Sequence, residues 1–410
     1  MEKVKLGVIG LGKRGYSMMR DVILCFDDVD VVAVCDEYPD RVEKAAALIK
    51  EKRGITPFCT TDYREVLSFG VDAVYIATAW ESHTEIAAAA MRRGVIPGVE
   101  VAGAYTIEEC YDLVRANEES GTRIMMMENC CFGKEELLAT AMARAGLFGE
   151  IVYCHGSYGH DLRSEVAKGN IDRHYRLRNY ISRNCENYPT HELGPIAKVL
   201  NINRGNRFVS LVSVASKAAG LKQYIADHPE LCEKDPTLAD ATFAQGDIVN
   251  TIITCEGGEQ ILLRLDTTLP RSYDREFTLR GTKGSFSQTT NSVFLDGDRE
   301  YWNPTRCIAN TMNNAEKYEE EYLCDEWKFI TDEARAVSHG GMDGIMFRVF
   351  LDRIKDGGEM PVDVYDAASW MAVTALSARS IEMGGAPQSF PDFTSGKYVS
   401  RPPLDVIKLK

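Results

Sequence analysis

The stretch Lys5-Leu6-Gly7-Val8-Ile9-Gly10-Leu11-Gly12-Lys13-Arg14-Gly15 constrains this chain more than any other. A short apolar run breaks into glycines spaced G-x-G-x-x-G and then into a helical pattern from Tyr16, which is the strand, turn and helix start of a dinucleotide site. Gly10 permits the tight turn and Gly12 lets backbone N–H groups approach a pyrophosphate. Gly15 lets the helix pack close to the strand with its positive end toward the phosphates. The spacing alone is common by chance, so its surroundings decide. A second apolar strand, Val31-Val32-Ala33-Val34-Cys35, ends at Asp36. That is roughly the 20 residues past the glycines at which an acid accepts hydrogen bonds from the adenosine ribose. A carboxylate there repels a 2′-phosphate, which points to NAD rather than NADP. Arg14 leaves one alternative open, because a guanidinium in the turn could serve a phosphate of either cofactor. The plainer alternative makes the glycines an ordinary turn and Asp36 a helix cap.

Strand and helix alternate through the first third. Helices are expected at 39–52, 63–68, up to Arg93, and at 106–119, where Thr106 and Glu109 have capping-box spacing. Strands are expected at 57–59, 71–78, 95–101 and 123–127. This repeat requires a parallel sheet, with ligands at the carboxyl ends of its strands. Four loops should face a nicotinamide: 78–83, Glu100-Val101-Ala102, Glu128-Asn129 and the glycine turn. The pattern changes after a helix at 134–145. A strand at 149–158 carries Tyr153, His155, Ser157 and Tyr158 toward its end, and a polar, arginine-rich segment at 160–187 reads as irregular cover for a site. Tyr188-Pro189-Thr190-His191 opens an apolar helix at 193–200. Strands at 207–215, 246–255, 260–267, 275–280 and 284–289 are joined in places by turns too short for crossovers, so antiparallel pairing follows. A long helix covers 363–383, and residues from Pro387 onward read as a tail over the surface. The expected class is therefore α/β. A Rossmann doubly wound parallel sheet spans 1–130, and an α+β domain with a largely antiparallel open sheet spans 131–410 and presents the substrate.

A net charge of -14 argues against nucleic acid or an anionic membrane as a partner. The chain enters its first strand directly after Met1-Glu2-Lys3, so no signal peptide is read, and no apolar run is long enough to span a bilayer. The twelve cysteines include no C-x-x-C pair and the seven histidines no H-E-x-x-H, so reduced thiols, a cytoplasmic setting and no metal are expected. An antiparallel sheet with an open face could pair across a two-fold axis, which admits a homo-oligomer.

With Gly10-Leu11-Gly12 near its start and Glu100 after its fifth strand, the chain resembles the glucose-fructose oxidoreductase and inositol dehydrogenase superfamily. Members usually carry Glu-Lys-Pro there, the lysine beside the transferred hydride. This chain has Glu100-Val101-Ala102, an isopropyl group in place of an ammonium. Further segments are similar to one branch, the NAD-dependent α-N-acetylgalactosaminidases of glycoside hydrolase family 109. They are Met127-Glu128-Asn129-Cys130-Cys131, Gly146-Leu147-Phe148-Gly149-Glu150, Tyr158-Gly159-His160-Asp161-Leu162-Arg163, and Tyr188-Pro189-Thr190-His191 with Leu193-Gly194-Pro195. Asn201-Ile202-Asn203-Arg204-Gly205, Leu269-Pro270-Arg271 with Tyr273, and His339-Gly340-Gly341-Met342-Asp343 complete the set. Glu192 stands where that branch commonly has glycine.

The resemblance implies cofactor contacts from Arg14, Gly15, Asp36, Trp80, Glu81, Ser82, His83, Glu100, Val101 and Asn129, beside the glycines Gly10 and Gly12. It implies glycoside contacts from Tyr158, Arg176, Tyr188, Pro189, Thr190, His191 and Tyr273. The implied chemistry borrows a hydride: the sugar's C3 is oxidised, the C2 proton is lost, the glycosidic oxygen leaves C1, water adds, and the hydride returns. His191 is the acid/base candidate. Tyr188 and Tyr273 either move protons or hydrogen-bond the sugar, or are half-buried rings with wet hydroxyls. Arg176 is a sugar contact or part of a solvated charge cluster. Trp80 and His83 wall the nicotinamide end, or are a core ring and a helix-start residue.

Three functions compete on these residues: an NAD-dependent glycosidase, an NAD-dependent sugar or polyol dehydrogenase, which Val101 opposes, and a catalytically silent NAD-sensing or protein-binding module. A conventional hydrolase would need two carboxylates from Asp161, Glu165, Glu186 and Glu192.

Overall fold

A computed structural model of the chain describes residues 3–297, 305, 311–332 and 339–410. The chain divides into two compact units, Met1–Phe132 with Asp325–Ala372, and Gly133–Cys324 with Val373–Lys410.

The first unit is built on a six-stranded sheet, with strands β1 (Val4–Ile9), β2 (Val29–Cys35), β3 (Phe58–Thr60), β4 (Ala73–Ile76), β5 (Ile96–Val99) and β6 (Met125–Met126). Their order is β3-β2-β1-β4-β5-β6 and every pairing is parallel. The connections are α1 (Lys13–Asp21), α2 (Pro39–Arg53), α3 (Tyr63–Val66), α4 (Trp80–Arg92) and α5 (Ile107–Ser120). Apart from the exposed Lys5, the central strands β1 and β4 are apolar because both faces are covered, and Leu6, Val8, Val74 and Ile76 are fully buried. Strand order reverses between β1 and β4, so the turns after those two strands open side by side. The Gly10 N–H donates to Cys35 O and the Ala77 N–H to Ile9 O, both at 2.8 Å. Thr106 and Glu109 form the expected capping box at the start of α5.

Two features depart from the sequence reading. β6 is only two residues long, and on its edge away from β5 the Met126 N–H donates to Val362 O at 3.0 Å, from the late segment of the same unit. That segment also brings the helix Met342–Asp356, which buries Met346, Phe347, Phe350 and Leu351 completely. Full burial of such side chains contributes about 1.5–3 kcal/mol each. Gly98 makes room for it, since a Cβ there would lie 3.0 Å from the Phe350 ring.

The second unit carries an eight-stranded sheet ordered β13-β12-β11-β7-β10-β9-β8-β14. Its strands are β7 (Ile151–Gly159), β8 (Phe208–Ala215), β9 (Ile248–Cys255), β10 (Gln260–Asp266), β11 (Thr278–Gly281), β12 (Gly284–Ser287), β13 (Ser292–Leu295) and β14 (Gln388–Ser389). Pairing is antiparallel except between β7 and β10, which the long intervening chain returns parallel. Burial alternates residue by residue along β9 and β10, as one covered face requires. The covering helices include α6 (Lys134–Arg144) and α9 (Thr190–Val199).

The segment at 160–187 is more ordered than its polarity suggests. It forms α7 (Arg163–Ala167) and α8 (Arg176–Ser182), which bury Val166, Ala167, Leu177 and Tyr180. Nor is the C-terminal stretch a surface strap: β14 adds to the edge of β8, and Phe390 and Phe393 are buried. Among the described residues no helix is long and apolar enough to cross a membrane.

Candidate active site

In the first unit the glycine turn is held from inside. Gly10 has φ +92°, and a Cβ on it would sit 2.5 Å from the Ala77 carbonyl group. A Cβ on Gly15 would overlap the Gly10 carbonyl oxygen. Gly12 differs: its backbone is extended, and the nearest atom to a Cβ there is Arg41 Nη1 at 3.6 Å. The protein itself therefore does not demand glycine at Gly12. The residue stands at the start of α1, which no side chain caps, so the helix's first N–H groups face outward beside an open position. An uncapped helix start beside a side-chain-free backbone is the shape a pyrophosphate needs, and these residues fit a dinucleotide.

Asp36 is turned into the fold. Its Oδ2 accepts the Leu11 N–H at 2.6 Å, its Oδ1 accepts the Tyr38 N–H at 3.0 Å, and Arg41 lies 3.7 Å away. The carboxylate thus ties the glycine turn to the end of β2.

Arg14 is directed at carboxylates. Its Nε donates to Glu100 Oε1 at 2.9 Å, and Nη1 and Nη2 donate to the two Asp343 oxygens at 2.7 and 2.8 Å. Tyr75 donates its hydroxyl to the same Glu100 oxygen. The Asn129 amide donates to Asp343 at 2.9 Å, and His339 Nδ1 lies 2.8 Å from it. Burial alone would raise the Asp343 pKa, but the Arg14 charge and its hydrogen bonds, with those of His339, hold it far below the usual carboxylate range. Burial likewise works against the Arg14 cation, and Glu100, Tyr75 and Asp343 outweigh it.

Trp80 and His83 open α4 and are both buried. His83 Nδ1 lies 3.2 Å from Ala102 O and Nε2 3.1 Å from Thr78 O, so the ring staples the turn after β4 to the turn after β5. Burial pushes its pKa down against the pull of these carbonyls. Ser82 Oγ bonds Thr78 Oγ1 at 2.8 Å, and the Tyr105 hydroxyl reaches Glu81 at 3.4 Å. The turn that His83 holds is strained, with Ala102 at φ +62° and Gly103 at φ +119°. Val101 is buried within it.

The second unit assembles an aromatic group at the end of β7 and the start of α9. Tyr158 lies 4.5 Å from Tyr188 and 5.6 Å from His191 between ring centroids, and Tyr188 meets His191 edge-on at 4.9 Å. His191 sits in the first turn of α9, which begins earlier than the sequence pattern suggests, with Pro189 at its cap. Pro195 has no N–H to close the helical bond to the His191 carbonyl. Thr190 is fully buried. Arg176 opens α8, with its guanidinium carbon 5.0 Å from the Tyr188 ring centroid and Nε 2.9 Å from Glu165. Burial opposes its charge, and Tyr175, Tyr158, Glu165 and Tyr188 more than compensate, so this cation is enclosed rather than solvated.

Tyr273 is half exposed and meets His160 edge-on at 5.1 Å. His160 was not singled out from sequence. It bonds the Tyr158 hydroxyl through Nδ1 at 3.1 Å, and burial followed by the Arg176 charge lowers its pKa. Its position two residues after Tyr158, at the end of β7, was the signal available in sequence. Tyr75 was also missed, and His339 and Asp343, quoted only within the segment His339-Gly340-Gly341-Met342-Asp343, were given no role; the pairing of Asp343 with Arg14 across 329 positions leaves no local signal.

The carboxylates that a conventional hydrolase would use are committed or hidden. Asp161 is held by Arg163 at 2.9 and 2.7 Å and Glu165 by Arg176. Glu186 and Glu192 are fully buried.

Comparison with known proteins adds to this geometry. The family described as glycosyl hydrolase 109, C-terminal domain, matches residues 132–400, and an oxidoreductase family with an NAD-binding Rossmann fold matches residues 4–128. A glycosyl hydrolase family 109 protein of Stenotrophomonas maltophilia is 35% identical over 98% of this chain and 91% of its own. An alpha-N-acetylgalactosaminidase of Tannerella forsythia is 36% identical over 98% of this chain and 88% of its own. An Agrobacterium radiobacter oxidoreductase solved with NAD+, L-tartaric acid and magnesium superposes with a TM-score of 0.66 at 16% identity, covering 96% of this chain and 99% of that one. An Azotobacter vinelandii inositol dehydrogenase homolog solved with NADH and myo-inositol gives 0.64 at 16% identity, covering 95% and 98%. At such identities the likeness is one of fold alone.

Proposed function

This chain belongs to glycoside hydrolase family 109, and from that premise we propose that it cleaves α-N-acetylgalactosaminides or related glycosides with NAD held in its first unit. It is a glycoside hydrolase enzyme of an oxidoreductase superfamily, with an NAD-binding Rossmann domain. The observation that carries the proposal is the enclosed group of Tyr158, Tyr188, His191 and Arg176, which offers aromatic faces, hydroxyls, an imidazole and one cation to a polar ring.

Bound NAD would supply the acceptor, and later the donor, of a hydride at the sugar's C3. Gly12 and the start of α1 would hold its pyrophosphate, and Asp36 its adenosine ribose. Glu100, Val101 and Asn129 follow the ends of β5 and β6, where the nicotinamide half lies in this fold. With C3 oxidised the C2 proton is acidic. His191 takes it, the glycosidic oxygen leaves C1, and His191 returns a proton when water has added. Tyr188 holds the ring through its hydroxyl and meets His191 edge-on, which fixes the imidazole's direction. Tyr158 and Arg176 bind the far side of the sugar, and Tyr273, through His160, meets the exposed end of the substrate. Val101 brings no ammonium to the hydride-transfer position, which disfavours net alcohol oxidation.

The test is hydrolysis of an aryl α-N-acetylgalactosaminide in deuterated water. Deuterium at C2 of the released sugar, without net NADH, is expected, and His191→Gln should lose at least about 100-fold in both cleavage and C2 exchange. Cleavage without C2 exchange overturns the mechanism. Steady NADH from a free sugar makes the chain a dehydrogenase instead.

A further inference from the structure

Glu186 and Glu192 bracket the segment that carries Tyr188 and His191, and both side chains lie entirely inside the second unit. The Glu186 backbone is fixed from another helix, its N–H donating to Ser377 Oγ at 2.8 Å. Glu192 is pressed against β7 where that strand has no side chain: a Cβ on Gly156 would lie 2.8 Å from Glu192 O and 2.9 Å from its Cβ. All four carboxyl oxygens are buried without a well-aligned hydrogen bond; the Tyr188 and Leu265 backbones reach toward Glu186 and the Tyr158 and Arg264 backbones toward Glu192, and the two carboxyl groups act on each other, bonding when one of them carries a proton.

The surroundings offer no compensating charge. β7 presents Tyr158 and β10 presents the backbone of Arg264 and Leu265, while the Arg264 guanidinium is taken by Glu276. The loop before α9 presents the Tyr188 backbone, and no lysine, arginine or histidine is among the groups acting on either acid. Burial raises both pKa values well above the ordinary carboxyl range, and the Glu186 charge raises Glu192 further. Two facing carboxyl groups in such a setting cannot both ionise at neutral pH, and the stable arrangement is one proton between them.

We propose that Glu186 and Glu192 are positioning residues whose shared O–H···O bond closes the segment between them into a ring and so fixes Tyr188 and His191 for the sugar. The inference rests on the reading of Tyr188 and His191 as sugar-side groups. When the proton leaves, two buried anions repel, the ends of the segment part, and the aromatic group loses its arrangement.

The full chain is examined between about pH 6 and 9, the interval in which buried glutamic acids of this kind titrate. Infrared difference spectra of the wild type should show a protonated carboxyl stretch at neutral pH that disappears in alkali and is absent from the Glu186→Gln, Glu192→Gln double variant. Near-ultraviolet circular dichroism should change over the same interval. In Glu192→Gln the amide donates to the Glu186 carboxylate at every pH, so the dichroism should stay flat. On an aryl α-N-acetylgalactosaminide, the wild-type KM should rise at least tenfold across the interval with a smaller change in kcat. Glu192→Gln should flatten that rise, and Glu192→Leu should show the raised KM throughout. A wild type without the protonated band, or a Glu192→Gln variant whose dichroism follows the wild type, overturns the proposal. Failure of the glycoside to turn over strikes the glycosidase reading alone, since the infrared and dichroism results decide the shared proton without it.

Discussion

Replacing Asp343 with asparagine isolates the Arg14 clamp. In the wild type Asp343 accepts two charge-assisted bonds from Arg14, at 2.7 and 2.8 Å, with none of its side chain exposed. Breaking a buried pair by removing one partner costs about 3–5 kcal/mol. Two features reduce that here: Arg14 keeps Glu100 at 2.9 Å, and its stem is partly exposed. Asparagine also keeps one acceptor, so the expected loss is about 2–3 kcal/mol. For a unit of this size that lowers the melting temperature by about 4–12 °C. The pH dependence has a definite sign. The folded-state pKa of Asp343 is depressed, so its contribution is whole above the unfolded value and is lost as pH falls toward the folded one. The gap between wild type and variant should therefore be constant near neutrality and close by about 1.4 kcal/mol per pH unit below about pH 4. Denaturant unfolding at several pH values measures it. A gap under about 1 kcal/mol at neutral pH, or one that persists undiminished in acid, would refute the account of the clamp.

Three further outcomes follow from the same geometry. Gly12→Ala should melt within about 1 kcal/mol of wild type, yet bind NAD at least about tenfold more weakly by calorimetry, because only the ligand needs that space. Gly15→Ala should cost more than about 3 kcal/mol and unfold the first unit in thermal melts, because the clash is with the protein's own backbone. Arg176→Met should keep the stacked apolar volume but raise KM for the glycoside at least about tenfold, with a smaller effect on kcat, in steady-state kinetics.

The parallel sheet was legible because its signals are local: a glycine turn, apolar strands, Asp36 and a capping box all lie within one short window each. The tetrapeptide at His191 was legible for the same reason. What escaped was decided by distant partners. The outer edge of β6 bonds Val362, and Arg14 turns inward to Asp343, both partners lying more than 200 positions later. The arginines at 160–187 masked two helices, since periodicity over so few residues is weak and their buried side chains number only a few in each. The parallel pairing of β7 with β10 carries no sequence mark, because strand direction within a sheet is set by the whole path of the chain.

The helix Met342–Asp356 belongs to a unit whose sheet lies hundreds of positions earlier in the chain. During synthesis the glycine turn, whose Arg14 bonds Asp343, and Phe26, whose ring lies 5.6 Å from that of Phe347, leave the ribosome long before that helix. The first unit thus forgoes the head start that an N-terminal domain ordinarily has. Its partly formed sheet must wait, exposed to chaperones, until the helix Met342–Asp356 has been translated, and a fragment ending at Phe132 should be insoluble rather than a usable dinucleotide module.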